Sequence, residues 1–326
     1  MDGRRAVAGG VALAVGVALA AVGRRRMAAA RVDDVPLARV RSRGRVGADF
    51  HERSGLAGDR VGGELDDLDA FARDGFDISR VAPAVRRFYE RTSEYRMTVS
   101  AEWHRPFRAG AALAAPVTSA VEQLNLPGPR ERGRVRVVES DLYAFDEDAA
   151  AAADVVDPRE DTRFWIRTDV DTGEAVFVAV YGSHVHDGRR YVNVAVPLPG
   201  GTLSTVLEPR ALALADRDAV GVDLTTRAPG HPGLFWSTRN ADYRLPAHQR
   251  FRVWPADAGP ESADRGIGDR AAPGVDRAAA LPVDRGFGGE HGRDGDRADA
   301  VVATHEMCLW DRTFLTVRYG AARRGD

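Results

Sequence analysis

Residues 182–191, "GSHVHDGRRY", place two histidines two positions apart in front of an Asp-Gly pair. Imidazoles at i and i+2 of a strand share one face and can chelate a metal ion. A catalytic metal needs a third protein ligand and an ordered outer shell, and no third ligand stands nearby in sequence. His305 or Glu306 in "THEMC" could supply it if the C-terminal segment lies alongside, giving a metal-dependent hydrolase built on His184 and His186. The competing reading is a polar hairpin tip. With Asp187-Gly188 as a two-residue type I′ turn, His186 faces Arg189, His184 faces Tyr191, and both share a face with Gly182 and Asn193. Phe177, Ala179, Tyr181, Val185, Val192, Val194 and Val196 then form the core face.

The other reactive side chains lack the geometry of a reaction. Cys308 lies three positions from His305, and residues three apart on a strand point to opposite faces, so His305 cannot activate the thiol. A turn at Asp311-Arg312 sets Cys308 opposite Leu315 as a core thiol. His104, His231 and His248 stand alone and read as surface or turn residues. Asp169 and Asp171 in "TDVDTGE" begin like a calcium loop, but Gly173 takes the third acidic position and no glutamate follows at the twelfth place. A β-turn explains them. "PLPGG" and "GVDLTTRAPGHPG" lack a Walker lysine, and the serine of "GLFWSTR" lacks flanking glycines. No catalytic residue and no cofactor is assigned, and the expectation is a non-catalytic binding or scaffolding protein.

Composition narrows the partners. All 46 basic residues are arginine, yet the net charge is -2, so no global field steers the chain onto nucleic acid. One cysteine excludes an intramolecular disulfide and a Cys-rich zinc site. The N-terminus carries an uncharged run, Ala6 to Gly23, between arginine clusters. As a helix it would span about 27 Å, close to the hydrocarbon thickness of a bilayer. Residues 1–26 therefore read as a membrane anchor or signal segment. Three arginines follow the run directly, and the later small-x-small site, Ala28 to Ala30, lies beyond them, which favours a retained single-pass anchor. The arginine-rich connector 27–76 then places the body on the cytoplasmic side, with export as the alternative.

The elements that must position these residues read as one β-rich domain over 77–320. Pro83, Val85, Phe88 and Tyr89 give a helix ending near Thr92, and "YRMTVSAEW" alternates as a half-buried strand. "PFRAGAALAAPVTSAVEQLNLPG" is helical, and its Phe107, Leu113, Val117, Val121 and Leu124 are expected to pack on a sheet, not to dip into a membrane interface. From Arg134 to Trp254 strands recur at intervals too short for helical crossovers. The fold class is mainly β (α+β): an antiparallel meander forming a curved sheet or barrel, with one or two helices packed on it. Residues 256–300 are an insertion too poor in apolar residues to fold, and could serve protein partners. A terminal hairpin follows.

"AVFVAVY" and "VNVAVPL" are apolar on both faces, which a half-exposed sheet is not. A second layer, a helix or a cavity must cover the second face. A cavity would hold a small hydrophobic ligand, a lipid from the adjoining bilayer, among Trp165, Val178, Val180 and Trp236, whereas filling by side chains leaves a scaffold. "FYERTSEY", "EQLNLPG" and "HEMCLWDRTFLTVRYG" resemble the prokaryotic YndJ-type proteins over residues 83 to 320. The resemblance implies no activity and assigns no functional residue.

Overall fold

The computed structural model describes residues 30–260 and 299–324. The Ala6–Gly23 run and most of the 256–300 insertion lie outside the described residues. Among the described residues no helix is long and apolar enough to cross a membrane.

Among the described residues fourteen strands form the sheet: β1 Arg31–Val32, β2 Ala57–Arg60, β3 Tyr95–Trp103, β4 Arg136–Phe145, β5 Glu160–Asp169, β6 Ala175–His186, β7 Arg189–Leu198, β8 Gly201–Ala213, β9 Val220–Thr225, β10 Gly233–Ser237, β11 Asp242–Arg244, β12 Ala247–Pro255, β13 Val301–Leu309 and β14 Arg312–Arg323. Ten of them close into an antiparallel barrel in the order β8-β7-β6-β5-β4-β3-β14-β13-β12-β9, and β9 returns to β8. Closure rests on the length of β8. One edge of its first half, Thr202 to Val206, pairs with β10, and the same edge of its second half, Glu208 to Ala213, pairs with β9. The sheet thus forks, and β10, β11 and β1 continue outside the ring.

Alternation sorts the strands as the pleat requires. On β5, Arg163, Trp165 and Arg167 point into the barrel while Phe164 and Ile166 point out. The expected two-sided covering of β6 is present. Phe177, Ala179 and Tyr181 face the lumen. Val178 and Val180 pack outward under Ala38, Val40, Val46 and Phe50 of the N-terminal segment, whose helix α1 spans Phe50–Ser54. The hairpin at Asp187-Gly188 also forms as expected, with both central φ positive and His184 opposite Tyr191.

One barrel mouth is plugged. Two 3-10 turns, Leu68–Phe71 and Ile78–Arg80, are capped by the carboxylates of Asp67 and Asp77 and lead into α2, Pro83–Glu90. Leu65, Leu68, Phe71, Phe76, Ile78, Val85, Phe88 and Tyr89 are buried there with the lumen residues Met97, Val99, Leu142 and Val317. Of the segment 27–76 expected as a connector, the described residues 30–76 pack on the barrel, with 47–76 forming the plug and the approach to it. At roughly 1.5–3 kcal/mol per buried large side chain, this plug outweighs the chain entropy of the glycines around it.

Two expectations are corrected. Helix α3, Arg108–Val121, has no buried residue, and Leu113 and Val117 are 81% and 63% exposed. Its ends are pinned to the barrel, so its order does not depend on burying its apolar side. On β13 a bulge between Met307 and Cys308 shifts the register, so Met307 lies opposite Leu315 and Cys308 opposite Thr313. The cause is the turn, which falls at Trp310-Asp311 with both φ positive. The remaining short helix, α4, spans Glu147–Ala152.

Candidate functional site

Polar groups line the barrel interior from Glu64 at the plugged mouth to Arg167 near the end of β5 and Gln249 near the start of β12. The loop before the plug passes against the carbonyl end of α2, where a Cβ on Gly63 would overlap the Glu90 carbonyl, so only glycine fits. The Glu64 and Leu65 amides both donate to the Tyr89 carbonyl, at 2.9 and 3.4 Å, and this turns the Glu64 side chain inward. There Glu64 is 3% exposed. Burial pushes its carboxyl up to about 7, against the opposing pull of Arg167, the Tyr181 hydroxyl and Arg163. Oε1 of this carboxyl has no hydrogen-bond partner among the described residues. Arg167, also buried, sits over Trp165 with its guanidinium carbon 3.8 Å from the ring centroid and 5.2 Å from that of Tyr319. His305, from β13, meets Gln249 Oε1 through Nε2 at 3.0 Å, and burial pushes it down to about 3, so it is neutral at pH 7.

Beside Glu64 a cleft of about 140 Å³ opens between the plug and β6, lined among others by Asp66, Asp67, Phe71, Asp161 and Tyr181. Arg163 bridges its rim, donating to the Gly63 carbonyl at 3.0 Å and to both Asp66 oxygens at 3.2 Å. The arrangement can hold a proton or a cation at a carboxyl poised near neutrality. It lacks a nucleophile with an adjacent base and donors for a developing oxyanion, the parts a hydrolytic reaction needs.

A second cluster gathers at the hairpin that carries the two histidines. His184 is buried, with Nε2 3.0 Å from Nδ1 of His231 and Nδ1 3.2 Å from Nδ2 of Asn193, which in turn donates to the Pro36 carbonyl at 2.7 Å. The His186 ring stacks on His231 with centroids 3.6 Å apart. His231, expected as an isolated turn residue, is therefore the third member. His305 and Glu306 are not, because β13 lies across the barrel from β6. Stacked rings aim their nitrogens along parallel planes instead of at one point, and among the described residues no three His, Cys, Asp or Glu side chains take up metal-binding geometry. Burial, then His231 and His186, push His184 down to about 4, which keeps it neutral and suited to a hydrogen bond between imidazoles. Elemental analysis of the purified chain should find no stoichiometric zinc. Zinc at one per chain that is lost in His184→Ala/His186→Ala would sink this structural reading.

The four residues expected to line a hydrophobic pocket are not brought together. Trp165 points into the lumen, Val178 and Val180 point out under the N-terminal segment, and Trp236 sits on β10 outside the ring, packed over Gly201. Asp169 accepts the Asp171 amide at 2.9 Å in the turn read from sequence. Cys308 contacts the Thr313 hydroxyl at 3.6 Å, away from His305. Sequence reading missed Glu64 and Arg167. Gly62-Gly63 followed by Leu65, Leu68 and Phe71 was the available signal, since an apolar pattern behind paired glycines marks a packed loop.

No family model matches the chain, and no solved structure matches it. Among curated proteins it is similar to a Bacillus subtilis protein described as "Uncharacterized membrane protein YndJ", with 27% identity over 198 residues, 60% of this chain. The match covers 33% of that protein's length. The described barrel thus belongs to a chain that resembles one part of a longer bacterial membrane protein.

Proposed function

We propose that this chain is a membrane-tethered, non-catalytic β-barrel module with a binding or scaffolding role. The observation that carries this reading is the closed barrel with its packed interior, cross-linked by partly buried ion pairs such as Glu208 with Arg73 at 3.1 Å and Asp223 with Arg250 at 2.8 Å. Such a body is a rigid platform. Small-molecule pockets for drug-sized or acyl ligands run to about 300–1,000 Å³, well above the cleft of about 140 Å³ beside Glu64. Contact with lipid therefore falls to the outside of the barrel, and the apolar Ala6–Gly23 run supplies the tether. The resemblance to a membrane protein supports the same reading.

Expressed in a bacterium, the full chain should sediment with membranes and resist carbonate extraction, whereas a chain lacking residues 6–23 should be released. A soluble product cut near Ala30 would replace the anchor with a signal peptide and overturn the tethered reading.

A further inference from the structure

We infer that the unplugged barrel mouth rests on an anionic bilayer surface, with α3 and the β13–β14 hairpin tip as its contact. This rests on the membrane-tethered reading and adds which face meets the lipid. Six large apolar residues stand out as exposed among the described residues. Val156 and Val185 lie toward the plugged mouth. Leu113, Val117, Val170 and Trp310 lie at the other, on α3, the β5–β6 turn and the β13–β14 tip.

Helix α3 is held across that mouth by its two ends. At one end the Phe107 and Phe314 rings meet at 5.9 Å. At the other, Gln123 Nε2 donates to the carbonyls of Val178 at 2.8 Å and Pro197 at 3.1 Å. Between these anchors, residues 109–121 carry no charge, and Leu113, Ala114, Pro116 and Val117 face solvent. A helix ordered by its ends, with its apolar side unused, has that side available for a partner. Trp310, 68% exposed, caps the hairpin beyond Phe314, as an aromatic does at a headgroup interface.

Charge and connectivity select the bilayer as that partner. Arg105 and Arg130 flank α3, Arg312 borders Trp310, and these three exposed side chains make no ion pair among the described residues. Arginines near an anionic surface are drawn to its headgroups. The described chain begins at the same mouth: the Ala30 carbonyl accepts the Arg244 amide at 2.7 Å, and two residues on, the Pro246 carbonyl accepts the Trp310 amide at 3.0 Å. Only residues 24–29 separate Ala30 from the apolar run, a reach of at most about 25 Å. A tether that short holds this mouth, with its apolar residues and arginines, against the headgroups.

The test uses the full chain reconstituted into vesicles of phosphatidylcholine and phosphatidylglycerol in roughly equal parts. In a Cys308→Ser background, Leu113→Cys, Val117→Cys and Val185→Cys are each labelled with bimane, and nitroxide-bearing lipids serve as quencher. All three positions are exposed, so the substitutions leave the core intact. Quenching should be several-fold stronger at 113 and 117 than at 185. A chain that fails to float with vesicles overturns both the tethered reading and this inference. A chain that floats but shows equal quenching at the three positions overturns this inference alone. So does a probe at 113 that is shielded from water yet unaffected by nitroxide lipid, which places a protein on the face.

Discussion

Arg167→Met should destabilise the folded chain by about 3–5 kcal/mol at roughly pH 8, and by much less at roughly pH 5, in urea denaturation. The guanidinium lies buried over Trp165 and Tyr319 and is the strongest of the charges that favour an ionised Glu64. Above about 7 Glu64 is ionised, so removing the cation leaves a buried carboxylate with only the Tyr181 hydroxyl and the more distant pull of Arg163 to offset its burial. Below the ordinary 4.5 it is neutral and loses nothing. For Glu64 itself, a folded value raised from 4.5 to about 7 means that its contribution to stability is fully present below pH 4.5 and lost as pH rises through 7. The whole span is worth roughly 3 kcal/mol. Adding Glu64→Gln to Arg167→Met should recover most of the loss at the higher pH, because neither charge is then left unpaired. An equal cost at both pH values, with no recovery in the double variant, would show that Arg167 acts through packing alone.

Phe76→Ala should cost about 3–5 kcal/mol, the range for a buried aromatic whose cavity cannot collapse. Phe76 is fully buried between the plug and the lumen residues. The substitution tests the plug directly: were residues 47–76 a loose connector, truncation would change stability by less than about 0.5 kcal/mol. Leu113→Ala, on the exposed helix, is the control expected to stay within that margin. A Phe76→Ala midpoint indistinguishable from that of Leu113→Ala would remove the plug from the account.

The strands were legible because alternation and turn chemistry are local. "YRMTVSAEW", the Asp187-Gly188 turn and the doubly apolar β6 and β7 appear where periodicity puts them. Closure was not, since a curved sheet and a barrel share the same alternation and differ in whether one long strand can serve two neighbours. Helix α3 misled for a related reason: an apolar stripe announces a covered face without saying whether protein or lipid covers it. The site was hidden most of all. Glu64 meets Arg167 only through the plug, and His231 joins the β6 pair His184 and His186 only through the loop after β9, so each cluster draws on segments far apart in sequence.

The seam between β3 and β14 has a kinetic consequence. It pairs Met97 with Ala321 and Trp103 with Leu315, positions more than two hundred residues apart, while most other seams are hairpins between consecutive strands. During synthesis the meander from β3 to β13 can zip progressively, but the ring cannot shut until β14 has emerged. Until then β3 presents a bare apolar edge. Loop closure over that distance comes last, so refolding should fall in the slow regime of high-contact-order β proteins, milliseconds to seconds or longer.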